Sequence, residues 1–255
     1  MRYVYSLSVV FLSITLIGCD RAGVAGRVTN VRGEALPGVA VMVEETNVGA
    51  LTNGLGQYRI PQQPGAMVLT FSKTGYAPGR LQLGDARSGR VEAPIVKLWT
   101  LPTNAGVYVF EGGMYQPTSW PEPRRYFLEG SETAYGTIRN PEVSTPEGRP
   151  FLVCYKMPFD ALLSRLEHGK GRVRSADAQT LDVWFAAGTR PVDLSPMEET
   201  GGRLFRVVLD EALEPGVYAL HWGALTGYVT IEKRVFLFEV AAESADRLAP
   251  LPENQ

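Results

Sequence analysis

Short runs of apolar residues, each ended by Gly, Pro or Asn, make up most of this chain. Val39, Val41 and Val43 alternate with other residues, so in an extended chain they share one face. Runs of this kind are typical of the short strands of all-β proteins. The 27 glycines and 18 prolines are spread along the chain, which suits the many turns that such strands require. The pattern therefore predicts an all-β fold.

Strand-like runs continue through residues 103–240, which we interpret as a second β-rich domain. The clearest runs cover 107–110, 125–128, 151–155, 181–185, 204–209, 217–222, 228–231 and 235–240. They predict a second β-sandwich. The final residues, 241–255, contain Pro250 and Pro252 and are expected to form a flexible tail.

One segment has helical rather than strand-like spacing. Pro158 suits the first turn of a helix, Asp160 suits the helix dipole, and Gly169 could cap the end. A single apolar face would contain Phe159, Leu162, Leu163 and Leu166. The spacing predicts one short helix over residues 158–169, with His168 in its last turn.

The N-terminal segment is apolar from residue 3 to residue 17 and is preceded by a single charge on Arg2. This run is shorter than the roughly 20 residues that span a bilayer, and it suits the apolar region of a signal peptide. It closes with Leu16-Ile17-Gly18-Cys19, which resembles the signal of a bacterial lipoprotein. The alternative is an uncleaved membrane anchor in which Cys19 is an ordinary cysteine.

The resemblance to a lipoprotein implies cleavage between Gly18 and Cys19 and lipidation of Cys19. Residues 1–18 would then be the signal peptide, and residues 19–22 would be the lipidated N-terminus and tether. The lipid anchor would hold the protein on a membrane of the bacterial cell envelope. Asp20 resembles the residue that retains lipoproteins on the periplasmic face of the inner membrane, and the outer membrane is the alternative.

Residues 23–99 contain an ordered series of turn and strand motifs. They are Gly26-x-Val28, Gly33-Glu34-x-Leu36-Pro37-Gly38-Val39-x-Val41, Thr52-x-x-x-Gly56-x-Tyr58, Pro64-Gly65 and Lys73-x-Gly75-Tyr76. In this order and spacing they resemble the carboxypeptidase regulatory-like domain. The resemblance implies a transthyretin-like β-sandwich of seven strands that is generally non-catalytic. Such domains occur beside metallopeptidase domains, but this chain has no His-x-x-Glu spacing for zinc.

The ionisable residues give little support for catalysis, metal binding or nucleic-acid binding. The formal net charge is −2 and there is no basic block, which argues against a nucleic-acid partner. The two histidines, His168 and His221, are expected to be structural, and we predict neither a metal nor a cofactor. If Cys19 is lipidated, Cys154 has no disulfide partner, and its apolar neighbours predict a buried free thiol.

Aromatic residues supply the one candidate binding site. Trp120 lies in the loop sequence Gln116–Pro121, where a large apolar ring is not obviously part of a core. The faces of aromatic rings stack on sugars, so Trp120 is the candidate ligand-binding residue. Trp184 and Trp222 occupy strand-like runs and are expected to lie in the core.

Three functions stay open at this point. The first is a non-catalytic, lipid-anchored binding or scaffolding module for an unknown envelope protein, and the absence of a catalytic motif favours it. The second is a carbohydrate-binding lipoprotein, which three exposed aromatic residues on one face would favour. The third is a hydrolase with an unrecognised site in residues 103–240, which convergence of His168 and His221 with a carboxylate would favour.

Replacing the lipidated residue tests the anchor. The variant Cys19→Ser should leave the membrane fraction and lose labelled fatty acid, because two or more acyl chains at about 0.8 kcal/mol per buried methylene provide the stable attachment. Fractionation of cells grown with labelled palmitate measures both. A Cys19→Ser protein that stays in the membrane fraction and still carries label would contradict the lipoprotein hypothesis.

Overall fold

The structure, a computed structural model, describes residues 22–61, 63–84, 89–118, 124–127, 134–137, 140–146, 148–172, 174, 180–223 and 232–242. Within these ranges the chain forms twenty strands and one 3-10 helix of three residues, Glu198–Thr200. The predicted all-β fold is confirmed. Several sequence predictions fall outside the described residues: Gly18, Cys19, Trp120, the strand at 228–231 and the tail from residue 243.

The first eight strands form the N-terminal β-sandwich. One sheet has the order β4-β1-β7, with β8 also paired to β1, and the other has the order β3-β2-β5-β6. Their bounds are β1 Gly23–Asn30, β2 Ala40–Val43, β3 Gly49–Leu51, β4 Gln57–Pro61, β5 Met67–Ser72, β6 Gly79–Leu83, β7 Arg90–Glu92 and β8 Val96–Leu98.

The core of this sandwich follows from the period-two pattern of the sequence. The predicted valine face of β2 is buried, and it packs in one cluster with Ile60 of β4 and Phe71 of β5. Tyr58 lies over Gly26 of β1, and a Cβ at position 26 would clash with the Tyr58 ring. The Gly26 of the sequence motif is therefore required by the packing of Tyr58 from the neighbouring strand.

The sandwich has eight strands rather than the expected seven because the strand beside β1 is interrupted. Both β7 and β8 run parallel to β1 and pair with successive parts of it. Residues 93–95 separate them, and the central one, Pro94, has no N–H to donate to a ladder.

The remaining strands form a second β-sandwich, as predicted for residues 103–240. One sheet has the order β10-β9-β14-β18-β17 and the other the order β11-β12-β16-β15-β19-β20-β13. The bounds are β9 Gly106–Glu111, β10 Met114–Pro117, β11 Arg124–Phe127, β12 Ala134–Thr137, β13 Ser144–Thr145, β14 Leu152–Tyr155, β15 Ala161–Arg172, β16 Thr180–Val192, β17 Leu194–Pro196, β18 Leu204–Val207, β19 Gly216–Trp222 and β20 Glu232–Val240.

The two sheets bury a shared core between them. The five-stranded sheet contributes Val107, Val109, Leu152 and Cys154, and the seven-stranded sheet contributes residues such as Leu163, Leu220, Phe236 and Phe238. Cys154 is a buried free thiol, as predicted. Burial raises the pKa of this thiol to about 12, so at neutral pH it is an unreactive apolar group.

The predicted helix over 158–169 is wrong, because this segment leads into the long strand β15. Ala161 and Leu163 pack into the core between the sheets, whereas Leu166 packs on the opposite face with Ala219 and Leu237. A strand that is buried on both faces has no period-two alternation, so its apolar residues imitate helical spacing. Pairing with β16 and β19 on either side then decides the structure.

The tryptophan predictions differ in outcome. Trp222 is buried in the core as expected, and its indole N–H donates to the Pro158 carbonyl at 2.9 Å. Trp184 lies half-buried on the outer face of the seven-stranded sheet, against the cluster around Leu237. The residues that the structure describes include no helix long and apolar enough to cross a membrane.

Candidate functional site

The segment that joins the two sandwiches, residues 99–104, is hydrogen-bonded to both of them, and we call it the junction linker. From the N-terminal sandwich, the Ala77 N–H donates to the Trp99 carbonyl, and the Gly75 carbonyl accepts from the Leu101 N–H, both at 2.8 Å. From the second sandwich, Tyr115 donates its hydroxyl to the Thr100 carbonyl at 2.8 Å.

A second tyrosine fixes the far end of the junction linker. The Tyr108 hydroxyl donates to the Asn104 carbonyl at 2.7 Å. Burial raises the pKa of both Tyr108 and Tyr115, so both hydroxyls stay protonated and able to donate at neutral pH. The junction linker is thus held along its length, and the relative position of the two sandwiches is set by these contacts.

Aromatic rings cover the outer face of the five-stranded sheet beneath the junction linker. We call this set the aromatic cluster, and its members are Trp99, Tyr108, Phe110, Tyr115 and Phe151. Phe110 is central, with ring centroids 4.8 Å from Trp99, 5.0 Å from Tyr115 and 5.7 Å from Phe151. Each such pair contributes about 0.5–1.5 kcal/mol beyond its area burial, so the cluster stabilises the junction between the domains.

A cleft of about 650 Å³ lies between the two sandwiches, and we call it the junction cleft. Its walls are the turn after β1, the junction linker and the β9–β10 hairpin, with Arg32, Glu34, Tyr76, Asn104, Met114 and Tyr115 among the lining residues. Cavities at domain interfaces with mixed apolar and polar walls are the usual position of binding sites. This cleft is therefore the candidate functional site.

The charged wall of the junction cleft is organised by Glu34. Its carboxylate accepts from the Arg32 guanidinium at 2.9 Å and from the Asn30 side-chain amide at 2.7 Å. The stem of Arg32 reaches across to the second sandwich and contacts Gly113 so closely that no side chain could be placed there. Gly113 also has a φ of 78°, which favours glycine.

A smaller cavity of about 300 Å³ opens beside the aromatic cluster, and we call it the aromatic pocket. Trp99, Phe110 and Phe151 form its apolar wall, and Glu111 and Thr145 also line it. The three rings are half-buried, and Phe159 is the one exposed aromatic residue among those described. The described surface therefore does not show the three exposed aromatics that would favour the carbohydrate hypothesis.

His221 belongs to a chain of hydrogen bonds on the outer face of the seven-stranded sheet. Its Nδ1 lies 2.6 Å from the Gly223 carbonyl, which can only accept, so Nδ1 carries the proton and Nε2 is an acceptor. The Ser164 hydroxyl therefore donates to Nε2 at 2.9 Å and accepts from the Thr189 hydroxyl at 2.7 Å. Each polar side-chain atom in this series of three residues thus has a partner, and His221 is both packed and hydrogen-bonded.

The distance between Ser164 and His221 would suit a nucleophile and its general base, but the contact is buried. Ser164 is fully buried and His221 is 3% exposed, so no substrate atom can approach the hydroxyl. His168 lies six residues beyond Leu162, the β15 residue that pairs with His221, which is about 20 Å at strand rise. Its ring contacts Trp184. The two histidines do not converge, and no group of three potential metal ligands occurs among the described residues.

The sequence reasoning missed the residues that build the junction cleft. Arg32 and Tyr115 have no distinguishing pattern, because each makes its contact outside its own sandwich. Trp99 is the last residue of the predicted first domain. Its position at the boundary of the first domain, followed by Thr100-Leu101-Pro102-Thr103-Asn104, was the available signal.

Comparison with protein families supports the interpretation of the N-terminal sandwich. Residues 23–95 match the family model of the carboxypeptidase regulatory-like domain, which confirms the resemblance in the sequence. This match covers less than a third of the chain. No curated protein matches the chain.

Three solved structures illustrate the distant likenesses of the fold. A type II cohesin–X-dockerin complex of Acetivibrio cellulolyticus is 16% identical over 37% of this chain, at a TM-score of 0.28, and the chain spans only 64% of that neighbour. The major pilin subunit BcpA of Bacillus cereus is 14% identical, covering 86% of this chain and 69% of its own, with a TM-score of 0.27.

The third is a DUF3823 family protein of Parabacteroides merdae. It is 11% identical, covers 86% of this chain and 98% of its own, and has a TM-score of 0.22. TM-scores this low support no conclusion about function.

The buried histidine predicts a loss of stability in mild acid. Burial lowers the pKa of His221, and the hydrogen bond to Gly223 opposes this only in part. Below about pH 6.5 the unfolded chain therefore binds a proton that the folded chain does not. The free energy of unfolding should fall as the pH falls from 6.5 to the lowered pKa, by at most about 1.4 kcal/mol per pH unit from this group.

Urea unfolding between pH 8 and pH 5 measures this slope. His221→Gln should lower the free energy of unfolding at all pH values. It should also remove the part of the pH dependence that comes from protonation of His221. His168→Gln, at the other histidine of the chain, is the matched control. If the slope is the same in wild type and His221→Gln, the protonation of this buried ring does not determine the acid sensitivity.

Proposed function

We propose that the protein is a non-catalytic, lipid-anchored protein of the bacterial cell envelope that binds another envelope protein in the junction cleft. The observation that supports this most is the double attachment of the junction linker, with two hydrogen bonds to each sandwich. A site whose walls are already fixed loses little conformational entropy when it binds a partner.

The composition of the junction cleft suits a protein partner. Met114 is 56% exposed and offers an adaptable apolar contact. Beside it lie the ion pair of Arg32 with Glu34 and the side chain of Asn30. An apolar centre with hydrogen-bonding groups at its rim is the usual arrangement in protein interfaces.

A lipid anchor at Cys19 would be attached to the start of β1, whereas the junction cleft lies at its end. If the mature chain begins at Cys19, the tether of residues 19–22 can span no more than about 14 Å. It would hold Gly23, the first residue of β1, close to the membrane. Asn30, the last residue of β1, lines the junction cleft and lies roughly 23 Å from Gly23 at strand rise. The cleft would therefore face away from the lipid surface, where another envelope protein can reach it.

Photo-crosslinking in intact cells tests the proposal. A photoreactive amino acid at Met114 should give one discrete adduct, because this side chain lies in the junction cleft. The same residue at Phe159, which is 59% exposed but outside the cleft, is the matched control and should give none. Arg32→Glu should weaken the Met114 adduct by reversing the charge beside Glu34. Equal adducts at both positions, or none at Met114, would count against the cleft as the binding site.

A carbohydrate-binding lipoprotein is the second candidate function, and the aromatic pocket is the observation that favours it. Two nearly parallel rings, Trp99 and Phe151, lie with centroids 6.3 Å apart, and the carboxylate of Glu111 lines the same cavity. Aromatic faces and a hydrogen-bonding carboxylate suit a sugar ring.

Co-sedimentation of the protein with peptidoglycan and insoluble polysaccharides, followed by a glycan panel, tests this second function. Saturable binding should be lost in Glu111→Gln if the aromatic pocket holds the sugar, and in Trp120→Ala if the loop tryptophan does. Absence of binding in the wild type would eliminate the candidate.

A further inference from the structure

The strand β3 is an edge of the N-terminal sandwich whose outward backbone groups have no partner in the described structure. The Val43 N–H donates to the Val48 carbonyl, and the Thr52 N–H donates to the Val39 carbonyl. In an antiparallel pair the bonded positions alternate, so Ala50 faces β2 and the N–H and C=O groups of Gly49 and Leu51 point away from it.

Most sheet edges of this protein contain a residue that discourages pairing with another strand. Proline removes a donor, and a charged side chain resists burial between chains. Among the described edge strands of three or more residues, β3 is the one whose sequence contains neither. The others contain such residues as Arg59 in β4, Arg80 in β6, Arg90 in β7, Lys97 in β8, Pro117 in β10, Arg124 in β11 and Pro196 in β17.

The side chains at this edge are apolar and exposed. Leu51 is 69% exposed, and Met42 of the adjacent strand is 37% exposed. Met42 lies across Gly49, since a Cβ at position 49 would overlap its sulfur. The Met42 sulfur fills the space above Gly49, so Met42 and Leu51 form one exposed apolar patch on the outer face of this edge.

We propose that β3 pairs with β3 of a second copy of this chain, in antiparallel orientation about a two-fold axis at Ala50. In this register Gly49 lies opposite Leu51 of the second copy. The outward groups of these residues then form two backbone hydrogen bonds at each of two symmetric positions. The two four-stranded sheets become one continuous sheet of eight strands with β3 at its centre.

The register is complementary in shape as well as in hydrogen bonding. Leu51 of each copy lies opposite Gly49 of the other, where it meets the Met42 side chain that covers this glycine. At the axis, Ala50 faces Ala50, and the small side chains permit the close approach of about 4.5 Å between Cα atoms in a pair without hydrogen bonds. A shift by one residue would place Leu51 opposite Ala50 and lose its contact with Met42.

Pairing through β3 is a separate property from the proposed function and does not depend on it. The pairing surface lies on the N-terminal sandwich, and none of its residues lines the junction cleft. Because three residues per copy form the ladder, the contact is small and the association weak in solution. A shared membrane would raise the local concentration of the two copies and favour pairing.

Disulfide trapping tests the register. The full-length chain carrying Cys19→Ser retains Cys154, which is buried, so an added cysteine is the accessible thiol. Ala50→Cys should form a covalent dimer under mild oxidation, because the expected Cα separation falls within the usual disulfide range of about 4.4–6.8 Å. Leu55→Cys, at an exposed leucine in the turn after β3, is the matched control and should remain monomeric on a non-reducing gel.

Adding Leu51→Lys to Ala50→Cys should reduce the dimer severalfold, because it places a charge against the apolar Met42 side chain of the second copy. Arg32→Glu, in the junction cleft, should leave the dimer unchanged. Three results would overturn the proposal: equal trapping at positions 50 and 55, a dimer that persists with Leu51→Lys, or no dimer at all. A mixed disulfide of Ala50→Cys with a different protein in cells, without a homodimer, would also overturn it by showing another occupant of the edge.

Discussion

The arrangement of the molecule depends on the hydrogen bonds of the junction linker. The backbone carbonyls of Thr100 and Asn104 accept hydrogen bonds from tyrosine hydroxyls of the second sandwich. Each bond contributes only about 1 kcal/mol. Together the bonds hold the junction linker in one position relative to both sandwiches. The junction cleft has a defined shape only because this linker is fixed, since the walls of the cleft come from both domains.

A different constraint governs the seven-stranded sheet. It is covered by the core on one face and by a second apolar cluster around Leu166, Ala219 and Leu237 on the other. The polar side chains within it must therefore bond to one another, as Ser164 does with His221 and Thr189. On an exposed surface, a hydrogen bond between serine and histidine would suggest catalysis. Here the bond from Ser164 satisfies the Nε2 acceptor of the buried His221.

The edge strands of the sheets determine how this fold can associate with other chains. A sandwich leaves its outer strands open, and prolines and charges along most of them limit pairing with other chains. The uncharged β3 lies in the domain that would be tethered closest to the membrane. If the proposed anchor and the proposed cleft are both present, the junction cleft and the β3 edge would provide two independent contacts, one with a partner protein and one with a second copy.

The sequence by itself determined the all-β class, the position of both sandwiches, the family of the first and the burial of Cys154, because period-two runs and turn residues are local properties of the chain. It also indicated the lipoprotein signal, on residues outside the described structure. It misassigned residues 158–169 as a helix, since a strand buried on both faces has no alternation to read. Only the tertiary structure brought Arg32 to Gly113 and Tyr115 to Thr100. Such contacts join residues that are far apart in the chain, and a local sequence pattern does not predict which distant residues a side chain will contact.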